Sequence, residues 1–590
     1  MNHSSDFYKK QIEIHSEALQ KIKRKLAVSS TIRLLVFLLA CFGVYFFFGN
    51  TQIVVAVIVV AVVAFVFLVT KHSRLQYERD LKNALIAQNK TELQVLNRDF
   101  HHLPSGEKYS DPQHFYSQDI DLFGRGSFFQ YLNRTALESG SDFLAQLFTA
   151  NGIDSIQKKQ KAIMELSEMP QWRQQFSGIA SLVTAEVSAP EVSDWLQDYR
   201  FFVPKWIKPV SFLFSIVSAG LIVLNYLDLV SGYAIAGWFF LGLAITGKYL
   251  KKVNHLSSHT SKIQGTFEQF HKLILEIENQ GFSSKLLSEK RNLVTNTEKN
   301  ASTVLKKFAK HLDALDQRSN MLIGVVLNGF MLRDLRQSYA IEKWIEAHRA
   351  SVPVWFETIT FFDAYNSFGN FAFNHPKYVY PIITAEIPVL NVNGAGHPLL
   401  KEATMVRNDL QINSEEFFIV TGANMAGKST FLRTVSLLIV MGNLGLPVCA
   451  DASEYNPIKL ITSMRTTDSL TDDESYFFSE LKRLKFIVDE IKTDRYFIIL
   501  DEILKGTNST DKAIGSKKFV EKLVASSSTG IIATHDLSLC AIAEELPEVK
   551  NYYFDARIEN DNLYFDYAFK PGICKNMNAS FLLKKMNIVD

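Results

Sequence analysis

Between Arg33 and Lys71 the sequence carries no charged side chain, and no other feature restricts the fold so severely. The run divides at Gly49-Asn50-Thr51-Gln52 into an aromatic-rich half, Leu34 to Phe48, and a valine-rich half, Ile53 to Val69. A membrane span needs about 20 apolar residues. A single helix over the whole run would overshoot a bilayer, so a tight helical hairpin is predicted. β-Branched residues favour strands, but buried strands end after about 4–8 residues. A secretory leader would start nearer the N-terminus and end in a small-residue cleavage pattern. A second such region follows Lys208, where Pro209 to Leu227 and Leu229 to Gly247 are uncharged and separated only by Asp228. Four transmembrane helices in two hairpins are therefore expected.

The basic residues set the orientation, because cytoplasmic flanks are enriched in Lys and Arg. Lys21, Lys23, Arg24, Lys25 and Arg33 precede the first pair, and Lys71 and Arg74 follow it. Lys205 and Lys208 precede the second pair; Lys248, Lys251 and Lys252 follow it. Neither turn carries a basic residue. Both hairpins are thus expected to enter and leave on the cytoplasmic side of an inner (cytoplasmic) membrane, with the N-terminus and all large segments in the cytoplasm.

Composition agrees with a large folded chain. The 590 residues correspond to roughly four folding units. The apolar fraction of 47% can fill several cores, and 21% charge is too little for a disordered polymer. A net charge of +2 argues against a nucleic-acid coat or a charged tail protein. Four cysteines cannot build a disulfide framework and fit a reducing compartment.

Residues 72–206 and 250–365 read mainly as helices, with apolar residues at three- and four-residue spacing; Phe267, Phe270, Ile274 and Ile277 are one such stripe. From Lys262 to Arg318 there are ten Lys/Arg against seven Asp/Glu. Gripping DNA without sequence preference requires neutralising many phosphates, so this mixed face reads as solvated helix. The glycines of Asp121-Leu-Phe-Gly-Arg-Gly-Ser-Phe-Phe-Gln-Tyr-Leu-Asn-Arg-Thr135 suggest a turn before a helix.

From about Ile387 short apolar runs punctuated by Gly and Asp predict an α/β region. Phe417-Phe-Ile-Val420 reads as a strand. It leads into Gly422, Ala423, Asn424, Met425, Ala426, Gly427, Lys428, Ser429 and Thr430, and then into the helix-like Phe431 to Met441. This is GxxxxGK[ST] in the strand–loop–helix setting that a phosphate loop requires. Glycines let the backbone wrap a phosphate chain, and amide N–H groups and the helix N-terminus face the anion. Lys428 is expected at the β- and γ-phosphates and the Ser429 hydroxyl on Mg²⁺. A second strand, Tyr496-Phe-Ile-Ile-Leu500, ends in Asp501-Glu502. Asp501 can hold the metal, and Glu502 can orient and polarise the attacking water. A third strand, Gly530-Ile-Ile-Ala-Thr534, ends at His535-Asp536, where the histidine can sense the γ-phosphate.

These motifs resemble those of the MutS mismatch-repair ATPases, whose nucleotide domain belongs to the ABC class. The segment Thr421 to Thr430 is similar to the MutS phosphate loop, with Asn424-Met425 as its distinctive pair. Leu500-Asp-Glu-Ile-Leu-Lys-Gly-Thr-Asn-Ser-Thr-Asp511 resembles the segment after the second strand, with Lys505 where an arginine is usual. Ser475-Tyr-Phe-Phe-Ser-Glu480-Leu resembles the signature loop, and the resemblance implies that Ser475 reaches ATP bound by the opposite subunit. Ala533-Thr-His-Asp536 resembles the switch histidine. Asp121–Thr135 resembles the start of the helical core, and Gly396-His-Pro-Leu399 the start of the ATPase domain. The likeness is specific over about 386–590 and weaker over about 118–380.

The resemblance implies ATP and Mg²⁺ as cofactors and a homodimer as the working form. It sets this organisation: a cytoplasmic helix over 1–30, a membrane hairpin over 31–70, a helical linker over 71–117, an all-α core over 118–206, the second hairpin over 207–248, the rest of the core and lever over 249–385, and the ATPase domain over 386–590. No domain with a Phe-x-Glu wedge is found before residue 118, so reading of mismatches is not expected. The second hairpin interrupts the helical core, and the sequence ends at Asp590, after Ala579 to Ile588, where MutS proteins continue into a helix that helps subunits pair. The expected function is a membrane-anchored, MutS-like ATPase that moves a helical core. The alternatives are a membrane-tethered clamp on duplex or branched DNA and, third, an ATP-driven transporter. Against the transporter stand the missing Leu-Ser-Gly-Gly-Gln signature, the few spans, and Asp228 as their sole acid. The lipid bilayer is an expected partner; no ligand motif identifies a protein partner.

Overall fold

The computed structural model describes residues 3–183, 187–295, 300–319, 321–385, 388–423, 425–465, 476–505, 508–559 and 562–575. Two compact units emerge. One comprises residues 1–93, 135–141 and 171–363, and the other residues 94–134, 142–170 and 364–590.

The first unit is helical. Its chain begins with two long helices, His3–Phe46 and Thr51–Leu96. At 44 and 46 residues these reach about 65–70 Å at 1.5 Å per residue, more than twice a hydrocarbon core. The Asn50 side chain accepts from Ile53 N–H and starts the second helix. Gly43 is small enough to let Val57 approach below the turn. Further down, Ile22, Leu26 and Leu75 form a small shared core. The polar half of the second helix is bound elsewhere: Leu81 and Leu85 meet Gly178, and Asn89 exchanges hydrogen bonds with Gln174. The apolar halves are different. Leu39, Val60 and Phe48 are 67, 68 and 81% exposed.

The second hairpin pairs helices Ile207–Tyr226 and Gly232–Lys248. The first has 20 residues, about 30 Å, the thickness of a hydrocarbon core. Four helical stretches, Ser4–Phe46, Thr51–Leu96, Ile207–Tyr226 and Gly232–Asn279, are long and apolar enough to cross a membrane by length and composition. An element the sequence pattern did not single out docks on this hairpin: the apolar helix Met321–Met331. Gly242 and Gly329 let the two backbones touch, since a Cβ on Gly242 would stand 2.3 Å from the Gly329 carbonyl. Ser218 donates to the Phe330 carbonyl at 2.7 Å and accepts from the Trp238 indole at 2.8 Å. At its C-terminal end the Asn328 side chain accepts from Asp334 N–H, and the buried Asp334 pairs with Arg318 at 3.0 Å.

Helix Leu250–Asn279 buries Phe267, Phe270, Ile274 and Ile277, the stripe predicted from spacing, against helices Ala301–Asp316 and Arg333–His348. Phe267 meets Phe308, Trp344 and Phe356 there.

Among the described residues the second unit holds ten strands in two sheets. In chain order they are β1 (Ile382–Ile383), β2 (Leu390–Ala395), β3 (Asn408–Ile412), β4 (Phe417–Gly422), β5 (Ala452–Tyr455), β6 (Lys459–Ser463), β7 (Tyr496–Asp501), β8 (Thr529–Ala533), β9 (Val549–Glu559) and β10 (Asn562–Pro571). The smaller sheet has order β1-β5-β2-β3; the larger, β10-β9-β4-β8-β7-β6, is parallel except at the β10/β9 hairpin. Parallel strands covered on both faces read as continuous apolar runs, and β4 and β8 are buried at every residue. Asp121–Thr135 does form a turn and a short helix, Phe128–Leu132, capped by Ser127. It is tied to the sheet region by Asp119, which accepts from Thr462 and Arg465 N–H, and by Asp121, which pairs with Arg433 and Arg465.

Candidate active site

The site grows out of strand register. Val420 on β4, Ala533 on β8 and Asp501 on β7 stand level across three adjacent parallel strands. Ligands of open α/β sheets collect beyond such carboxyl ends. Here the ends open into a cavity of about 680 Å³, lined by Lys428, Ser429, Asp501, Glu502 and His535 among others. That lies within the ordinary range for a small-molecule site.

The loop after β4 is shaped by backbone that side chains resist. Gly427 has φ +103°, and a Cβ there would also press on the Tyr567 ring at 3.0 Å. Met425 takes φ +67° and is 76% exposed. Gly427 then starts the 17-residue helix Lys428–Leu444, whose first N–H groups face the cavity mouth as an anion site. Phe431 locks this helix to the sheet by stacking on Phe569, which stacks on Tyr552.

Lys428 is 6% exposed. Its ammonium donates to the carbonyls of Gly422 at 2.7 Å and Ala423 at 3.0 Å, and stands 3.4 Å from His535 Nε2. Burial lowers its pKa, against the opposing pull of Asp501 and Glu502. His535 is likewise held below its ordinary value, by burial and then by Lys428, so at neutral pH the ring is uncharged and can accept from the ammonium. The Ser429 hydroxyl donates to Asp501 Oδ2 at 2.6 Å.

Glu502 is placed by strain. Its φ is +52°, its N–H donates to Ala533 O at 2.9 Å, and Leu504 follows at φ +60°. Non-glycine residues in this region cost about 1–3 kcal/mol and collect at functional sites. Burial pushes its carboxyl up, but the Lys512 ammonium bonded to it, with the charge of Lys505, outweighs that and leaves it below the usual range. The loop behind it is fixed by Glu480, which accepts from Leu504 N–H at 2.6 Å and Lys505 N–H at 3.0 Å. Glu480 is buried on helix Tyr476–Glu490. Desolvation raises its pKa despite those two N–H donors.

A phosphate chain with Mg²⁺ fits this donor set. A buried ammonium, a helix N-terminus and a hydroxyl–carboxylate pair 2.6 Å apart supply hard oxygen ligands and cationic charge in the order the ligand needs. The family model for MutS domain V matches residues 418–585. Over that stretch the chain is similar to the MutS family. It is 28% identical over 289 residues to DNA mismatch repair protein MutS 2 of Halobacterium salinarum, covering 48% of this chain and 32% of that protein. Likeness to MutS protein homolog 4 of Homo sapiens is 30% over 234 residues, 38% of this chain and 24% of the relative. DNA mismatch repair protein MutS of Thermus thermophilus is 33% identical over 185 residues, 31% and 22% of the two chains. The chain thus spans about a third or less of the length of these MutS relatives.

Of the residues singled out from sequence, Gly422, Ala423, Met425, Ala426, Gly427, Lys428, Ser429 and Thr430 form the MutS-like loop and helix start, with Asp501, Glu502 and His535 beside them. Asn424 and Ser475 lie outside the described residues. Two neighbours, Tyr567 and Asn408, went unnoticed in the sequence. Tyr567 sits at φ +52° in a bulge of β10, where its carbonyl accepts from Asn408, and its ring borders Gly427. Asn408 also accepts from Phe569 N–H and so holds the bulge open. His397, in the Gly-His-Pro-Leu segment, lines the same cavity, its pKa pushed down to about 4 by burial and by Arg433 and Arg98. Only the hairpin and the second sheet bring Tyr567 and Asn408 there; neither has a local motif.

Proposed function

We propose that this chain is a membrane-anchored ATPase that converts ATP and water to ADP and phosphate in the β4/β8/β7 cavity. One observation carries the proposal: Lys428, Ser429, Asp501, Glu502 and His535 converge on one cavity, with Ser429 and Asp501 2.6 Å apart.

Lys428 would hold the β- and γ-phosphates and offset charge as it shifts to the leaving oxygen. Ser429 and Asp501 would hold Mg²⁺, which when bound polarises the phosphoryl oxygens. Glu502 would accept a hydrogen bond from the attacking water and align it with the γ-phosphorus; neutral His535 would report on that phosphate to β8. The P–O bond to ADP breaks, and the proton of water passes to the carboxylate or the released phosphate. Tyr567 offers an aromatic face to the base. The working form would be a homodimer in which Ser475 of one copy completes the site of the other.

The membrane part rests on the four helices with long apolar stretches and on the exposed apolar side chains there. It places both hairpins in the cytoplasmic membrane and the nucleotide site in the cytoplasm. Movement of the helical core against the hairpins would be the output of hydrolysis.

The full chain purified in detergent tests this directly. It should hydrolyse ATP in a Mg²⁺-dependent manner, and chelation should abolish turnover; material that neither binds nor consumes a nucleoside triphosphate would refute the function. A second function, a membrane-tethered clamp on duplex or branched DNA, is favoured by the names of the relatives, two of which are DNA mismatch repair proteins. Filter binding across a salt series separates the two, since a clamp gives a steep slope.

A further inference from the structure

Glu502 does not stand alone. Lys512, the fourth residue of helix Ser509–Ala525, places Nζ 2.7 Å from Glu502 Oε1. The side chains are 21 and 26% exposed, so water screens the pair less than an ordinary surface contact. The helix start that carries the lysine is itself fixed. Asn508 caps it by accepting from Asp511 N–H at 2.8 Å, and Lys512 N–H donates to Asn508 O at 2.9 Å. The Asp511 carboxylate is taken by the Asn508 amide, which leaves the ammonium to Glu502.

We propose that Lys512 is a positioning residue for hydrolysis: its ammonium holds Oε1 and fixes the Glu502 rotamer, leaving Oε2 to accept from the attacking water. Two physical demands meet in this contact. A carboxylate brought beside a triphosphate is repelled by it, and a cation on the carboxylate's far side offsets that repulsion. Phosphoryl transfer also gains most from alignment, and a carboxylate free to rotate about χ3 aligns water poorly. Lys512 is not part of the cavity wall, whereas Lys505 is. It therefore acts through Glu502 and not on the phosphates.

The inference rests on the ATPase function, and the test separates the two. Steady-state hydrolysis and ATP binding are measured on the full chain in detergent for wild type, Lys512→Met, Lys512→Arg, Glu502→Gln and the Lys512→Met/Glu502→Gln pair. Lys512→Met should lower kcat roughly tenfold to a hundredfold, the scale of a misaligned reactant, with KM and ATP affinity unchanged. Lys512→Arg should recover most of the rate. In the Glu502→Gln background Lys512→Met should cost nothing further. Wild-type kcat in Lys512→Met, or an equal loss with and without the Glu502 carboxylate, overturns the positioning role while the ATPase function stands. ATP binding at wild-type affinity certifies the fold, and Lys512→Gln replaces the Met variant should that affinity fall. A wild-type chain without turnover overturns both.

Discussion

The valine-rich helix that follows Asn50 and the helix that follows Gly427 are built from the same apolar side chains and treat them oppositely. Val60 and Val63 are 68 and 65% exposed, whereas Leu432 and Ile439 are fully buried. At roughly 25 cal/mol per Å² of apolar surface, a water-exposed hairpin of this composition would be a standing penalty. Within the α/β region that same surface is the driving force for packing. The difference is what the proposed membrane anchor accounts for: on that reading the apolar run of the hairpin is matched to a different solvent, lipid.

Five substitutions can break or sharpen this contrast. The largest effect belongs to the buried-sheet side. Glu502→Gln should lower kcat by roughly 10²–10⁴, the scale of a lost general base, while ATP still binds and the hairpins still carry the chain into detergent. Persistent turnover would remove Glu502 from the mechanism.

Next comes a cavity in the sheet. Ile498 on β7 is fully buried, and Ile498→Ala should cost about 2–5 kcal/mol, read as a lower unfolding midpoint of the ATP-protected region. Val63→Ala, on the exposed face of the hairpin, should leave that midpoint unmoved. Equal shifts would erase the contrast.

The hairpin has its own test in Val60→Arg. A charge at the centre of a spanning helix costs about 2.5–3.5 kcal/mol on insertion scales, so membrane-extracted protein should fall sharply. If the helix faces water, yield and extraction stay the same and the lipid assignment fails. The smallest effect is expected at Tyr567. Replacing it by Ala should weaken ATP affinity by about 1 kcal/mol, the worth of one aromatic contact. Equilibrium titration of a fluorescent ATP analogue would read this, and unaltered affinity would remove the ring from the base site.

Much of the site was legible because its chemistry is local. Gly427-Lys428-Ser429 sit between β4 and a helix, and Asp501-Glu502 and His535 close apolar strands that are short and uninterrupted. Each signal needs only neighbouring residues, since backbone geometry and charge at a strand end are set within a few positions. The helical stripe of Phe267, Phe270, Ile274 and Ile277 was readable for the same reason. Tyr567 and Asn408 were not, nor was the hold of Glu480 on the backbone after Glu502. Tyr567 reaches the cavity through a bulge, Asn408 through a second sheet, and Glu480 through a helix twenty-odd residues upstream of the backbone it holds. Helix Met321–Met331 gives no spanning signal, because its eleven residues, with Asn328 among them, are too few to cross a bilayer. Its role as packing for the second hairpin depends on the meeting of Gly242 and Gly329.

What the sequence alone determined is whatever depends on short range: which runs are long and apolar enough to cross a membrane by length and composition, where glycine lets the backbone bend after β4, and which strand ends carry carboxylates. What only the tertiary structure decided is which distant side chains complete those ends. Register levels Val420, Ala533 and Asp501, a capped helix start delivers Lys512 to Glu502, and residues 94–134 and 142–170 cluster with the sheets. The physical reason is that a local conformation is paid for by neighbours in the chain, whereas a contact across sheets exists only once the core between them has closed.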